Sequence, residues 1–249
     1  MEEIKVETTD DGAIRTITLN RPDKRNAISR AMFDELQQLF EVEPPPTERL
    51  TLLRSEGDVF CSGIDLNERL VHGAPPLAEV CEVIHDYPLP VVARVQGDAI
   101  AGGAFLALFC DFVVAAKPAR IWVSLVQIGL APPWILTRRL TELATPALAR
   151  ELVLLGDPLT AEYLADAHVI VSAVEPAELD AEVDRIVGRL AQNAPLSLRA
   201  VKATLAAQPY QELPHDDVEA MIVRARDSED GREGVKARLE RRMPVYAGN

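Results

Sequence analysis

Two segments of the chain run an apolar, β-type stretch into a helical one through glycine, and they limit the fold more than any other feature. In Val59-Phe60-Cys61-Ser62-Gly63-Ile64-Asp65-Leu66 the extended run breaks at Gly63. In Gly97-Asp98-Ala99-Ile100-Ala101-Gly102-Gly103-Ala104-Phe105 it ends at a glycine pair that opens an apolar helix. Alternation of strands and helices through such turns defines a layered α/β domain. Glycine at the junction lets a ligand approach the backbone closely, and the helix start offers unpaired N–H groups at the positive end of its dipole.

The surrounding pattern agrees. Ile4–Thr8 and Ala13–Leu19 alternate about Asp10-Asp11-Gly12, a hairpin signal. From Arg30, the residues Met32, Leu36, Leu39 and Phe40 fall at helical spacing, with Ser29 placed to cap them. Leu50–Arg54, Pro88–Val95, Phe112–Ala116 and Val169–Ala173 read as strands. Beyond about residue 145 helices dominate. Thr145-Pro146 starts one that Gly156 closes, Thr160 caps the next, and Glu178–Gln192 carries Val183, Ile186, Val187 and Leu190 on one face. Further helical patterns cover 195–207, 214–227 and 231–242. An apolar helical tail added to a complete α/β unit needs a partner surface, so an oligomer is expected.

Composition excludes several classes. The net charge of −13 over 249 residues disfavours nucleic acid and anionic membrane as partners. It also requires that a phosphate-bearing ligand be met by local bases or backbone N–H groups. Apolar runs are broken well before about 18 residues, the length a membrane span needs, and residues 1–10 lack an apolar signal core. The expected compartment is therefore the cytosol. Cys61, Cys81 and Cys110 are widely spaced among apolar neighbours, fitting buried thiols rather than disulfides or a metal site. Ser62 lies outside any GxSxG elbow, and no HExxH or P-loop pattern occurs.

Taken in order, the motifs resemble the crotonase (enoyl-CoA hydratase/isomerase) superfamily. Leu19-Asn20-Arg21-Pro22-Asp23-Lys24-Arg25-Asn26-Ala27 is similar to its first CoA-binding stretch and Phe60–Leu66 to its second motif. Pro90–Gly97 through Cys110-Asp111 is similar to its third, Gly129–Pro132 to the loop after the next strand, and Glu233-Gly234 with Leu239–Pro244 to its closing pattern. The resemblance implies a spiral of ββα units over residues 1–190, then a C-terminal helical region, 191–249, that assembles trimers or dimers of trimers. It implies an acyl-CoA thioester as ligand, with coenzyme A as part of the substrate and neither a separate cofactor nor a metal. The N–H groups of Ile64 and Gly102 fall at the two oxyanion-hole positions. Lys24, Arg25 and Arg241 match bases that reach CoA, and Ser62 and Asp65 lie among the substrate-binding positions, with Asp65 placed to fix the loop.

The pattern breaks where hydratases of that family carry two glutamates. Their positions hold Phe105 and Leu125, and neither side chain transfers a proton. Hydration by the usual route is therefore not expected. Chemistry that needs an oxyanion hole but no strong base remains, and decarboxylation of a malonyl-type thioester is the preferred reading. Several stretches, such as Gly102–Phe105, also resemble the methylmalonyl-CoA decarboxylase branch, but its His and Tyr positions hold Ile64 and Pro132. Glu68 and Ser124 are the replacement acid/base candidates, Glu68 with a structural alternative, and Trp134 is expected to shape the acyl pocket. His72 is a weak ligand candidate, and His215 reads as a surface residue. Hydration or isomerisation through replacement groups, and a non-catalytic acyl-CoA-binding subunit, are the rival readings.

Overall fold

A computed structural model describes residues 2–72, 75–128, 130–206, 224, 228–240 and 242–249. Arg241, His215, Gly129, the His72 side chain and the helix expected over 214–227 lie outside the described residues.

The strands β1 (Ile4–Thr8) and β2 (Ile14–Leu19) form the expected hairpin, Ile4 opposite Leu19. Asp11 closes the turn by accepting from the Ala13 N–H at 3.0 Å. Helix α1 (Arg30–Glu41) starts at Ser29, whose hydroxyl accepts from Met32 N–H at 3.1 Å, and it buries Met32, Phe33, Leu36 and Phe40. Each such side chain contributes roughly 1.5–3 kcal/mol by leaving water. β3 (Leu50–Ser55), α2 (Leu66–His72) and α3 (Leu77–Asp86) make the next unit, and β4 (Val91–Val95), β5 (Ala99–Ile100) and α4 (Gly102–Leu108) the one after. β6 (Phe112–Ala116) and β7 (Arg120–Trp122) lead through a 3₁₀ turn, Ser124–Ile128, to α5 (Trp134–Leu143).

With β9 (Ser172–Val174) at one edge, the main strands build a six-stranded sheet in the order β1-β2-β3-β4-β6-β9, parallel except for the β1–β2 pair. After β2, β3, β4 and β6 the chain turns into a second β layer. Bridges Ile28–Ile64 and Cys61–Ala99 and the sheet β5-β7-β8, with β8 at Leu159–Thr160, compose that layer. It then enters a helix that packs outside. Successive strand, short strand and helix triplets wind into the spiral of ββα units, and the short inner layer carries the glycine turns.

The helical half follows its capping signals. Thr145 caps α6 (Pro146–Arg150), which runs on through a π turn, Glu151–Leu155, to left-handed Gly156 at φ 67°. Thr160, ending β8 (Leu159–Thr160), caps α7 (Ala161–Asp166). The strand expected at Val169–Ala173 instead forms as β9 (Ser172–Val174). Val169 and Ile170 are buried, but their N–H groups turn back to Leu164 O rather than joining β6. Apolar content there marks packing against α7, and only the following residues reach the sheet edge. The strand expected from Pro88 begins at Val91, since two of the three preceding residues are prolines and Pro lacks the N–H a ladder needs.

α8 (Leu179–Ala191) lays Val183, Ile186, Val187 and Leu190 on the outer face of the sheet. In α9 (Pro195–Ala206), the Lys202 ammonium donates to Asp111 Oδ2 at 2.7 Å and Leu89 O at 3.0 Å. Asp111 also accepts from Val91 N–H at 2.7 Å, so this carboxylate clamps the helical half to the start of β4. The chain ends against the core. Asp230, in α10 (Glu229–Glu240), accepts from Ala247 and Gly248 N–H, and Arg49 donates to Tyr246 O at 2.9 Å.

Candidate active site

The site grows from the backbone of 61–65, which lies between two other stretches of the inner layer. On one edge Ile28 N–H donates to Gly63 O at 2.7 Å and Asp65 N–H donates to Ile28 O at 2.9 Å. Backbone groups alternate in direction along an extended chain. The Ile64 N–H between them therefore points away from Ile28, toward the other edge. There Cys61 N–H donates to Asp98 O and Cys61 O accepts from Ile100 N–H at 2.9 Å, which brings Gly102 alongside. A Cβ built on Gly102 would lie 3.5 Å from Ile64 N, and one on Gly63 would lie 3.3 Å from Gly102 N. The two amides are neighbours, and among the described residues neither donates a hydrogen bond.

Local sequence creates this arrangement at a cost. Gly63 has φ +92°, a conformation L side chains resist, and a Cβ there would meet Ile100 O at 3.0 Å. Ala101 sits at φ 47°, ψ −108°, held by its N–H to Trp122 O at 2.9 Å. Strain of this kind, of order 1–3 kcal/mol, persists where surroundings over-determine it, and it clusters at functional sites. Ala101 O accepts the first helical bond, from Phe105 N–H at 3.1 Å, so α4 begins with its amides open toward Ile64. Gly103 allows the close seat of α4, since a Cβ there would be 2.3 Å from Cys61 O. Two such N–H groups side by side can share one oxygen and stabilise negative charge on it.

Phe105 is wholly buried, part of the core beneath α4, and Leu125 packs half-buried on that core. Leu77 reaches over Gly102, its Cδ2 3.5 Å from the built Cβ, so the side chain beside that amide is apolar. Burial pushes the Cys61 thiol up to about 12, well away from a nucleophilic thiolate. Among the described residues no three His, Cys, Asp or Glu side chains gather as metal ligands.

The other sequence candidates separate into groups. Glu68 Oε2 accepts from the Arg30 N–H at 2.7 Å, at the first position of α1. Asp65 accepts from Asn67 N–H at 3.1 Å and pairs with Arg21 at 3.4 Å, fixing the start of α2. Lys24 and Arg25 are exposed on the turn that leads to Ile28, and Arg25 O accepts from Ser62 N–H at 3.0 Å. Both cations and Ser62 thus flank the Gly63 turn. Ser124 follows β7, whose Trp122 pairs with Ile100, two residues before Gly102. Trp134 is 73% exposed on this chain, with the Arg138 guanidinium 5.3 Å from its ring centre. Three positioning residues escaped the sequence reading. Ala101 and Leu77 carry no pattern that marks them. Buried Asn26 joins the two motifs by donating to Glu56 O and Val59 O at 2.8 Å each, and a polar residue in a motif flanked by arginine and alanine is a signal that was available.

The spiral fold and the paired amides define a chain of the crotonase type. It belongs to the enoyl-CoA hydratase/isomerase family, whose model matches residues 9–249. It is 32% identical to the 1,2-epoxyphenylacetyl-CoA isomerase of Escherichia coli, over 94% of this chain and 95% of that one. It is 30% identical to the 2,3-dehydroadipyl-CoA hydratase of the same organism, over 93% and 94%. Its fold matches a crystal structure of the enoyl-CoA hydratase of Bacillus anthracis at a TM-score of 0.88, with 27% identity and full coverage of both chains.

Proposed function

We propose that this protein is an acyl-CoA enzyme in which the N–H groups of Ile64 and Gly102 hold the thioester oxygen as it becomes an enolate, and that its chemistry is not hydration by paired glutamates. The observation carrying this reading is the pair of unpartnered amides beside Leu77, with Phe105 and Leu125, at the two hydratase glutamate positions, packed as apolar side chains in or on the core. Two preorganised donors supply several kcal/mol of charge stabilisation, about 3–4 kcal/mol each by the effect of removing one. With no carboxylate at either hydratase position, the reaction that best suits the site generates its own enolate. Loss of carbon dioxide from a malonyl-type thioester breaks the bond between Cα and the carboxyl carbon. The electron pair stays on Cα and spreads to the thioester oxygen, and a proton then adds at Cα. Ser124, in the turn that follows β7, is the candidate to relay that proton, and Lys24, Arg25 and Arg241 are the candidate CoA contacts.

The names of the relatives support a second reading, isomerisation or hydration with a replacement acid/base. Glu68 is a weak candidate for that role, because its carboxylate already serves the start of α1. The family and the exposed apolar side chains Val126, Leu154 and Leu155 support a trimer or a dimer of trimers. The test is mass spectrometry after incubation with crotonyl-CoA and, separately, methylmalonyl-CoA. Loss of carbon dioxide from methylmalonyl-CoA, without gain of water on crotonyl-CoA, is the expected result. Water added to crotonyl-CoA at enzymatic rates would replace this proposal with the second reading.

A further inference from the structure

Arg69 lies one helical turn beyond Asp65, its N–H donating to Asp65 O at 2.9 Å, on the helix that starts at Leu66, two residues after Ile64. Its side chain is partly buried and lines a small cleft with Ile28, Arg30, Ile64, Glu68 and Pro75. The other charges of that cleft are engaged. Arg30 pairs with Asp34 at 3.0 Å, Asp65 pairs with Arg21, and Glu68 receives the Arg30 N–H. Among the described residues no carboxylate pairs with the Arg69 guanidinium. A guanidinium partly withdrawn from water without a counter-ion is a standing cost that an anion would offset, and its planar fork fits a carboxylate by two parallel bonds.

Position decides which anion. If Ile64 N–H receives the thioester oxygen, a cation on the helix beginning there stands near the acyl carbons. The phosphates of CoA are separated from that oxygen by the whole pantetheine arm, and Lys24 and Arg25 stand exposed on the turn that precedes Ile28. Resting on the acyl-CoA reading above, we infer that Arg69 is a specificity residue, and that the natural acyl group carries a carboxylate which it binds.

Calorimetric titration with succinyl-CoA and butyryl-CoA tests this. The two acyl chains have the same length and differ in a terminal carboxylate against a methyl, and succinyl-CoA does not lose its carboxylate on enolisation. The wild-type protein is expected to bind succinyl-CoA on the order of ten-fold or more tightly than butyryl-CoA, the size of one charge-assisted contact. Arg69→Gln should erase that preference while leaving butyryl-CoA and free CoA binding as they were, and Arg69→Lys should restore part of it. No preference in the wild type overturns the inference. Equal weakening of both esters and of free CoA in Arg69→Gln also overturns it, by assigning Arg69 to a phosphate. If the wild type binds neither ester nor free CoA, the acyl-CoA reading itself falls, and the inference with it.

Discussion

Ala101 and Gly63 divide one task between them, and they do it with different means. Gly63 takes φ +92° at little cost because it has no Cβ, whereas Ala101 takes φ 47° because Trp122 O and α4 hold it there. Gly63→Ala should therefore damage both stability and site. The new methyl would lie 3.0 Å from Ile100 O and 3.3 Å from Gly102 N, crowding the Gly102 amide. A loss of about 1–3 kcal/mol of unfolding free energy is expected by urea denaturation, together with loss of enolate stabilisation. Phe105→Ala, by contrast, leaves the amides in place and opens a cavity, and should cost about 3–5 kcal/mol in the same measurement. At this scale the candidate site was half legible. Gly102 and Ile64 were legible as candidates because the resemblance places them at two marked positions beside glycine turns. Ala101, Leu77 and Arg69 were not, because their roles come from conformation, reach and missing partners, none of which a single residue type encodes.

Among the elements, α1 depends on caps supplied from within and from afar. Ser29 satisfies Met32 N–H, and Glu68, thirty-eight residues away in the chain, satisfies Arg30 N–H and sits at the positive end of the helix dipole. Glu68→Ala should lower unfolding free energy by about 1 kcal/mol, measured by thermal denaturation, whereas Glu68→Gln, which keeps an acceptor, should lower it less. The packing of α3 against α5 carries a pH dependence. Burial first, then the Arg139 charge and that of Lys202, hold the His85 imidazole below its ordinary value of 6.5, against the opposing pull of Asp86 and Asp111. The Phe109 ring lies edge-on to it at 6.2 Å. The folded protein thus resists protonation there more than the unfolded chain does. The stability tied to His85 is present above about pH 6.5 and is lost as pH falls through the depressed value. A melting-temperature series from about pH 7.5 to 5 should fall less steeply for His85→Phe than for the wild type. Element boundaries were legible wherever a cap or glycine punctuates them, as at Ser29, Thr145, Gly156 and Thr160. They slipped at Val169–Ala173, where burial comes from helix packing and the apolar run alone does not distinguish that from a ladder.

Across the whole molecule, the order of motifs carried the fold, since five separate stretches with the right spacing leave few alternatives. The assembly and the reaction are set by surfaces and absences that spacing does not encode. Light scattering should give three or six chain masses, and a monomer would leave the exposed Val126, Leu154 and Leu155 without the partner proposed for them. The central claim is that the amides of Ile64 and Gly102 stabilise a thioester enolate, and it can be measured without knowing the natural substrate. Acetoacetyl-CoA loses its α-proton readily to solvent, and its enolate absorbs in the ultraviolet. The account predicts that the wild-type protein draws bound acetoacetyl-CoA into the enolate band. Gly102→Pro, which removes one donor, should lose the band; circular dichroism and free CoA binding check that the fold persists beside Ala101, whose φ 47°, ψ −108° is not the extended backbone proline favours in the residue before it. An unchanged band in Gly102→Pro, or no band in a wild-type protein that binds CoA, would contradict the account.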